Sequence, residues 1–201
     1  MPKQTFHNLA PPKKTHIIEA MQQVVLQRPI AKITLSDIVR AAGIPRGSVY
    51  QYFTGLEDIF SYLLDHSLEQ WEDMAMAHLR EKTYDFFEYF QASFHWDLAF
   101  FQHSPHQRIL RKFFKESHPY ALDIRAKLDR RKAFFHQVIE RLDTTVLGET
   151  DPEDVYVLYD QLNHMKHYTI RKTIRHQATS KEAAKEYAFL IDLVKRGMER
   201  T

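Results

Sequence analysis

A cluster of hydrogen-bonding side chains that contains no carboxylate follows Gly43. Its members are polar or aromatic and lie within seven consecutive residues: Arg46, Ser48, Tyr50, Gln51 and Tyr52. In a helix, Val49 and Phe53 point to one side because they are four residues apart, which leaves the cluster on the outer surface. Such a helix suits a polyanion and fits the major groove of DNA. The alternative is an ordinary helical hairpin with a solvated outer face.

Two short helices joined at Gly43 are predicted to position this cluster. Ser36 is a suitable N-cap for the first helix, and Gly43 can adopt the left-handed conformation that ends it. Pro45 stands where a second helix begins. The spacing therefore predicts a helix-turn-helix over residues 34–53, the arrangement that lays its second helix in the major groove.

Positive charge is concentrated near this motif. Residues 1–55 hold seven Lys and Arg against two acidic residues, whereas the rest of the 201-residue chain holds 21 against 24. The formal net charge of +2 conceals this asymmetry. A basic N-terminal part and a slightly acidic remainder are typical of a protein that attracts phosphate at one end.

The rest of the chain has a helical pattern. Apolar residues recur at helical spacing from Leu56 and predict one long helix over Leu56–Lys82. Further helices are predicted over Tyr84–Phe101, Pro105–Lys115, Tyr120–Leu142, Pro152–His176 and Lys181–Met198. The last of these has Ser180 as its predicted cap. We therefore predict an all-α fold with a three-helix DNA-binding domain at residues 1–55 and a larger helical domain at residues 56–201.

Aromatic residues are dense between positions 84 and 101. They are Tyr84, Phe86, Phe87, Tyr89, Phe90, Phe94, Trp96, Phe100 and Phe101. One interpretation is a bulky helix that fills the core. The other is the wall of a small-molecule cavity, because such cavities are mostly apolar with a few polar anchors.

The last two helices are candidates for a subunit interface. The penultimate helix carries an apolar stripe formed by Val155, Leu158, Tyr159, Leu162, Met165 and Thr169. The final helix is apolar on more than one face, and each such face must be buried against something. The stripe predicts a homodimer, with packing inside the monomer as the alternative.

The segment from Lys14 to Phe60 resembles the DNA-binding domain of the TetR family of bacterial transcriptional regulators. The most specific match runs from Gly43 to Phe53, followed by Glu57-Asp58-Ile59. The resemblance implies a dimer held by a four-helix bundle and an inducer pocket in the helical body. One departure is Leu56, where the family usually has a lysine that touches phosphate.

Together with the residue types, this resemblance leads to a hypothesis about the roles of individual residues. The candidates for base edges are Arg46, Gly47, Ser48, Gln51 and Tyr52, and those for phosphate contacts are Lys14, Thr34, Ser36 and Tyr50. The candidates for binding an apolar or aromatic inducer are Phe90, Phe94, His95, Phe101, Phe135, Tyr159 and Asn163. The expected function is a repressor that binds a palindromic operator as a dimer and is released by a small molecule. The alternative is a helical protein that binds a small molecule or another protein without specific DNA binding.

Several other classes of function have little support in the sequence. The chain has no cysteine, so it has neither disulfides nor thiolate metal ligands. Its 12 histidines show no HExxH spacing, and neither a glycine-rich phosphate loop nor a Gly-x-Ser-x-Gly turn occurs. No run of about 18 apolar residues is present. We therefore expect a cytoplasmic protein that is not an enzyme and uses no metal, cofactor or membrane.

Overall fold

The computed structural model describes residues 2–116 and 124–198, and they are almost entirely helical. The helices of the N-terminal part are α1 (Gln4–His7), α2 (Pro11–Gln27), α3 (Leu35–Ala42) and α4 (Arg46–Tyr52), with a 3-10 turn at Ile30–Lys32. They are followed by α5 (Leu56–Glu81), α6 (Phe86–His103), α7 (Pro105–Lys115), α8 (Ile124–Ile139), α9 (Pro152–Ile174) and α10 (Ser180–Met198). The predicted all-α fold is confirmed.

The small amount of extended structure does not change the fold class. Strands β1 (Tyr84–Asp85) and β2 (Leu142–Asp143) form one parallel pair in which Tyr84 aligns with Leu142. A second 3-10 turn follows at Thr145–Leu147. The pair joins the start of α6 to the segment after α8.

The predicted helix boundaries are close to those observed. The long helix ends at Glu81, one residue before the prediction, and α7 has the predicted bounds. Asp151 caps α9 by accepting a hydrogen bond from the Glu153 amide at 2.8 Å. The start predicted at Tyr120 for the next helix lies outside the described residues.

The predicted caps of two helices are wrong. Helix α3 begins after Thr34, not Ser36, and Thr34 forms a reciprocal capping box with Asp37. Thr179 pairs with Glu182 in the same way at the start of α10, where Ser180 was expected. In both cases an acidic residue three positions after the threonine completes the box, which a serine at the predicted position lacks.

The chain divides into two compact units. The first holds residues 2–70 together with 104–116, and the second holds residues 71–103 together with 125–198. Helix α7 therefore packs in the first unit, although it lies within the range 56–201 that the sequence assigns to the helical domain. A domain boundary after residue 55 stays a prediction.

The first unit is built around a compact apolar core. The fully buried side chains include Phe6, Ile17, Met21, Val25, Phe53, Ile59, Leu63, Ile109 and Phe113. Gly43 ends α3 with φ of +60°, so the predicted left-handed turn is confirmed. At this position a residue with a side chain is strained, and glycine is not. The turn fixes the direction in which α4 leaves α3.

Candidate functional site

Helix α4 presents a polar surface on one side and anchors itself with the other. Arg46, Gly47, Tyr50 and Gln51 are exposed, and Ser48 is half-buried. Val49 and Phe53 are buried, as their spacing predicts. Because no residue of α4 carries a carboxylate, the exposed face offers hydrogen-bond donors to an anionic partner.

Tyr52 is placed differently from the prediction. Only 6% of the residue is exposed, and its ring centroid lies 6.0 Å from that of Phe6. The expectation that Tyr52 is an outward-pointing tip is therefore wrong. Phe6 comes from helix α1, far away in the sequence, so the periodicity of α4 alone does not reveal this contact.

The candidate phosphate contacts lie on three different elements. Thr34 and Ser36 are exposed at the start of α3, and Tyr50 is 45% exposed on α4. Lys14 is half-buried on α2, where its ammonium nitrogen lies 5.6 Å from the centroid of the Phe6 ring. The Thr34 hydroxyl already donates to Asp37 at 2.8 Å, so its oxygen is oriented by the capping box.

Asp37, the acidic residue closest to these groups in sequence, is neutralised locally. Hydrogen bonds from Thr34 lower the pKa of Asp37, and the Arg28 guanidinium lies 3.0 Å from its carboxylate. Arg28 therefore balances Asp37 and does not supply a free positive charge. The Asp37 carboxylate of the capping box therefore lowers the positive potential of this surface only slightly.

Residues before Pro11 were missed by the sequence analysis. Helix α1 packs on α4 through Phe6, and Lys3 and Thr5 donate hydrogen bonds to carbonyl groups of α4. The available signal was a single aromatic residue, Phe6, in the short segment before Pro11, which is too weak to predict a helix.

The predicted ligand residues of the second unit mostly form a packed core. Phe90, Phe135 and Tyr159 are buried, with the Tyr159 ring centroid 5.4 Å from that of Phe90 and 5.0 Å from that of Phe135. Phe94 stacks on Tyr187 at 5.0 Å. These contacts favour the core interpretation of the aromatic run.

The other predicted ligand residues differ in exposure. Asn163 is buried, and its amide donates to the Tyr159 carbonyl at 3.0 Å. Phe101 is half-buried. His95 is exposed, so it lies on the surface of α6 and not among the buried rings. Phe90, Phe135 and Tyr159 thus lie together and His95 lies apart from them, and the role of these residues in ligand binding stays a prediction.

A pocket opens beside this core. Its volume is about 650 Å³, and it lies where the end of α8, the Thr145–Leu147 turn and the start of α9 meet. The walls are largely apolar and include Phe135, Ile139, Leu147 and Tyr156, together with the charged Lys132. Of the predicted ligand residues, Phe135 alone lines it.

A buried ion pair crosses the second unit. Lys166 on α9 is fully buried, and its ammonium nitrogen lies 2.8 Å from the carboxylate of Asp97 on α6. The same ammonium donates to the Ser93 hydroxyl at 2.9 Å, and the Trp71 indole donates to Asp97 at 2.6 Å. These partners compensate both charges in an otherwise aromatic surrounding.

Helices α9 and α10 leave large apolar side chains exposed. Val157, Tyr168, Phe189 and Leu193 are each between 55% and 64% exposed. The stripe predicted to reach a partner is instead directed inward, because Val155, Tyr159 and Leu162 pack in the core of the second unit. That assignment of the stripe is wrong, and the exposed face consists of other residues on the same two helices.

Histidines approach each other without forming a metal site. The rings of His66 on α5 and His106 on α7 meet edge-to-face with centroids 5.5 Å apart. Burial, together with the neighbouring His66, lowers the pKa of His106. Within residues 2–116 and 124–198, no three histidine or acidic side chains form a group that could hold a metal ion.

No helix within residues 2–116 and 124–198 is long and apolar enough to cross a membrane.

Two family models match the sequence. Residues 17–63 match the model described as "Bacterial regulatory proteins, tetR family", and residues 85–198 match "Tetracyclin repressor-like, C-terminal domain". The second match alone covers more than half of the chain. The first match contains α3 and α4, and the second contains the aromatic core and the exposed face.

Individual curated relatives resemble about a third of this chain. The chain is 33% identical over 72 residues to the HTH-type transcriptional regulator TtgR of Pseudomonas putida, which is 36% of this chain and 34% of that protein. It is 35% identical over 69 residues to EthR of Mycobacterium tuberculosis, which is 34% of this chain and 32% of that protein. The chain thus spans about a third of the length of these curated relatives.

One solved structure illustrates the shared fold. A putative transcriptional regulator from Pseudomonas aeruginosa PAO1 superposes with a TM-score of 0.67 at 15% identity, over 97% of this chain and 96% of that chain. At this level of identity the likeness concerns the fold alone.

Proposed function

Because this chain belongs to the TetR family of bacterial regulatory proteins, we propose that it is a transcriptional repressor that binds DNA through helix α4. The observation that carries the proposal is the division of α4 into two faces. Val49, Tyr52 and Phe53 anchor the helix, while Arg46 and Gln51 stay exposed on a surface without carboxylates.

Two side chains of α4 are suited to reading base pairs. The Arg46 guanidinium matches the two acceptors on the major-groove edge of guanine, and the Gln51 amide matches the donor and acceptor of adenine. Gly47 and Ser48 lie between them and allow a close approach of the backbone to the bases. Buried Tyr52 takes no part in base contacts in this proposal and serves as an anchor.

The candidate phosphate contacts around Arg46 and Gln51 would fix the position of the protein along the DNA. Lys14, Ser36 and Tyr50 are exposed or half-buried and carry donors that suit phosphate oxygens. Exposed Thr34 can join them only if its hydroxyl turns away from Asp37, to which it donates in the capping box. Phosphate contacts fix position and orientation without reading sequence. At position 56 the chain has a leucine, so the phosphate contact usual for the family at this point is absent from the proposed interface.

A palindromic operator requires two copies of this reading helix. Val157 and Tyr168 on α9 and Phe189 and Leu193 on α10 are exposed apolar side chains, which we take together as the face that a second copy covers. Burying it against a second copy removes large side chains from water and gives a twofold dimer. Such a dimer can place its two α4 helices about 34–36 Å apart, which is one turn of B-DNA.

Control by a small molecule is the last part of the proposal. Phe135 lines the pocket and its ring also packs against that of Tyr159, so an apolar or aromatic ligand there would contact one edge of the aromatic core. Helix α5 contributes residues to both compact units. A ligand that prefers one orientation of α5 would shift the dimer away from the spacing that DNA requires.

The proposal is tested by selecting duplexes from a random library and measuring binding at several salt concentrations. We expect Arg46→Ala to weaken binding by about 1–3 kcal/mol and to relax the preference at one base pair of each half-site. Arg175→Ala is the matched control, because it removes the same charge from an exposed position at the end of α9.

Two results would count against the proposal. If Arg46→Ala leaves discrimination at every base pair intact, Arg46 is not a base reader. If the unmodified protein retains no duplex even at low salt, the chain is not a DNA-binding regulator. Tight binding of an aromatic compound without any effect on DNA would favour the small-molecule alternative.

A further inference from the structure

Helix α4 is too short and too weak in composition to hold its conformation alone. It has seven residues, among them Gly47, the β-branched Val49 and two tyrosines, and no side chain caps its N-terminus. Isolated helices below about 12 residues are marginal in water, and these residue types lower helix propensity further. The geometry of α4 must therefore come from tertiary contacts.

Every carbonyl group at the end of α4 has a partner. Such groups normally lack an intrahelical donor over the last four residues of a helix. The Val49 carbonyl accepts from the Phe53 amide at 2.8 Å. The remaining three accept from the N-terminal segment: Tyr50 from the Lys3 ammonium at 2.6 Å, Gln51 from the Thr5 hydroxyl, and Tyr52 from the Lys3 amide at 2.8 Å.

Phe6 holds the donors in place. Its side chain is fully buried, and its ring centroid lies 4.7 Å from Phe53 and 5.1 Å from Tyr62. This ring ties α1 to the end of α4 and to the start of α5. The Lys3 ammonium also places a positive charge at the negative end of the α4 dipole.

We infer that Lys3, Thr5 and Phe6, which we name the N-terminal clamp, are positioning residues that order α4 and thereby set its affinity for DNA. The second half of this inference rests on the proposed function. The clamp acts from the end of α4 opposite Arg46, so Thr5 and Phe6 influence recognition through the helix they hold. The sequence alone gives no reason to include residues 3–6 in the site.

The test compares Thr5→Val with Thr5→Ser in the full-length protein. Valine has nearly the shape of threonine but no hydroxyl, and serine keeps the hydroxyl. Backbone amide hydrogen exchange is measured without DNA, and duplex affinity is measured separately. We expect Thr5→Val to speed exchange at residues 50–53 and to weaken binding, each by about five-fold, whereas Thr5→Ser resembles the unmodified protein.

A second pair of variants separates the clamp from simple loss of charge. Lys3→Met and Lys13→Met each remove one ammonium from an exposed lysine of the first unit, but only Lys3 contacts α4. We expect backbone amide hydrogen exchange in α4 to be faster than in the unmodified protein for Lys3→Met but not for Lys13→Met. In Lys3→Arg, which keeps the positive charge, the exchange rate should return toward that of the unmodified protein. Exchange in α2 stays unchanged in all of these variants.

The inference is overturned if α4 exchanges at the same rate in Thr5→Val and in the unmodified protein. It is also overturned if exchange accelerates while duplex affinity stays the same, since the clamp then does not set recognition. Should the unmodified protein bind no duplex, the proposed function fails, and the exchange measurements alone decide whether the clamp orders α4.

Discussion

The Lys166 ammonium lies 2.8 Å from the Asp97 carboxylate inside the second compact unit, and both side chains are almost completely buried. Aromatic rings surround the pair, with the Lys166 nitrogen 5.9 Å from the Tyr89 centroid and 5.8 Å from that of Phe90. A pair of this kind is costly to break, because the charge that remains has no solvent around it.

Lys166→Met is therefore expected to lower the free energy of unfolding by about 3–5 kcal/mol, since the buried Asp97 carboxylate would keep the Trp71 donor but lose the positive charge that balances it. Denaturant titration measures the change, and Lys185→Met on the exposed surface of α10 is the control. Adding Asp97→Asn to Lys166→Met should recover part of the loss. Additive effects of the two substitutions would show that the pair does not act as a unit.

The capping box of α3 can be tested against the residue that the sequence favours. Thr34→Ala removes the hydroxyl that accepts from the Asp37 amide and should destabilise the protein by about 1 kcal/mol. Ser36→Ala should change stability by less than about 0.5 kcal/mol, because Ser36 is exposed inside the first turn of α3. Equal losses in thermal or denaturant unfolding would contradict the assignment of Thr34 as the cap.

His106 makes the stability of the protein depend on pH. Burial, together with His66, lowers the pKa of His106 below its usual value of 6.5, so the folded protein binds this proton only at lower pH. Below about pH 7 the unfolded state therefore holds more protons than the folded state, and the free energy of unfolding decreases as pH falls. The decrease stops below the folded pKa.

The measurement is denaturant unfolding at a series of pH values between 5 and 8. His106→Gln should remove this part of the pH dependence, whereas His95→Gln on the exposed surface of α6 should retain it. Retention of the full slope in His106→Gln would assign the effect to another group. His167 is the first candidate for that role, because burial lowers its pKa to about 4 and it therefore contributes a pH dependence of the same sign.

The exposed face of α9 and α10 predicts the effect of a single charge on self-association. Leu193→Glu places a carboxylate in the apolar face, and we expect the dissociation constant of the dimer to rise by about 30-fold or more. Analytical ultracentrifugation measures it. Ala99→Glu puts the same group on an exposed apolar position of α6 and should leave association unchanged. A monomeric unmodified protein would remove the basis for the palindromic operator.

The sequence by itself determined the features that depend on neighbouring residues. The bounds of α5 and α7, the left-handed turn at Gly43 and the polar outer face around Arg46 all follow from local spacing and from the conformations that glycine and proline allow. The dense aromatic run also pointed to a bulky core helix around Phe90, which the buried rings bear out. These inferences hold because helix formation and turn chemistry are decided within a few residues.

The tertiary structure decided whether each apolar side chain packs into the core of its own chain or remains exposed at the surface. Periodicity shows that Tyr159 belongs to a stripe on α9, but only the packed chain shows that the stripe faces its own core, while Phe189 on α10 remains exposed. Tyr52 is buried because Phe6, 46 residues earlier in the chain, packs against it. Burial is a property of contacts between distant segments, so a local pattern predicts that a surface needs a partner without identifying that partner.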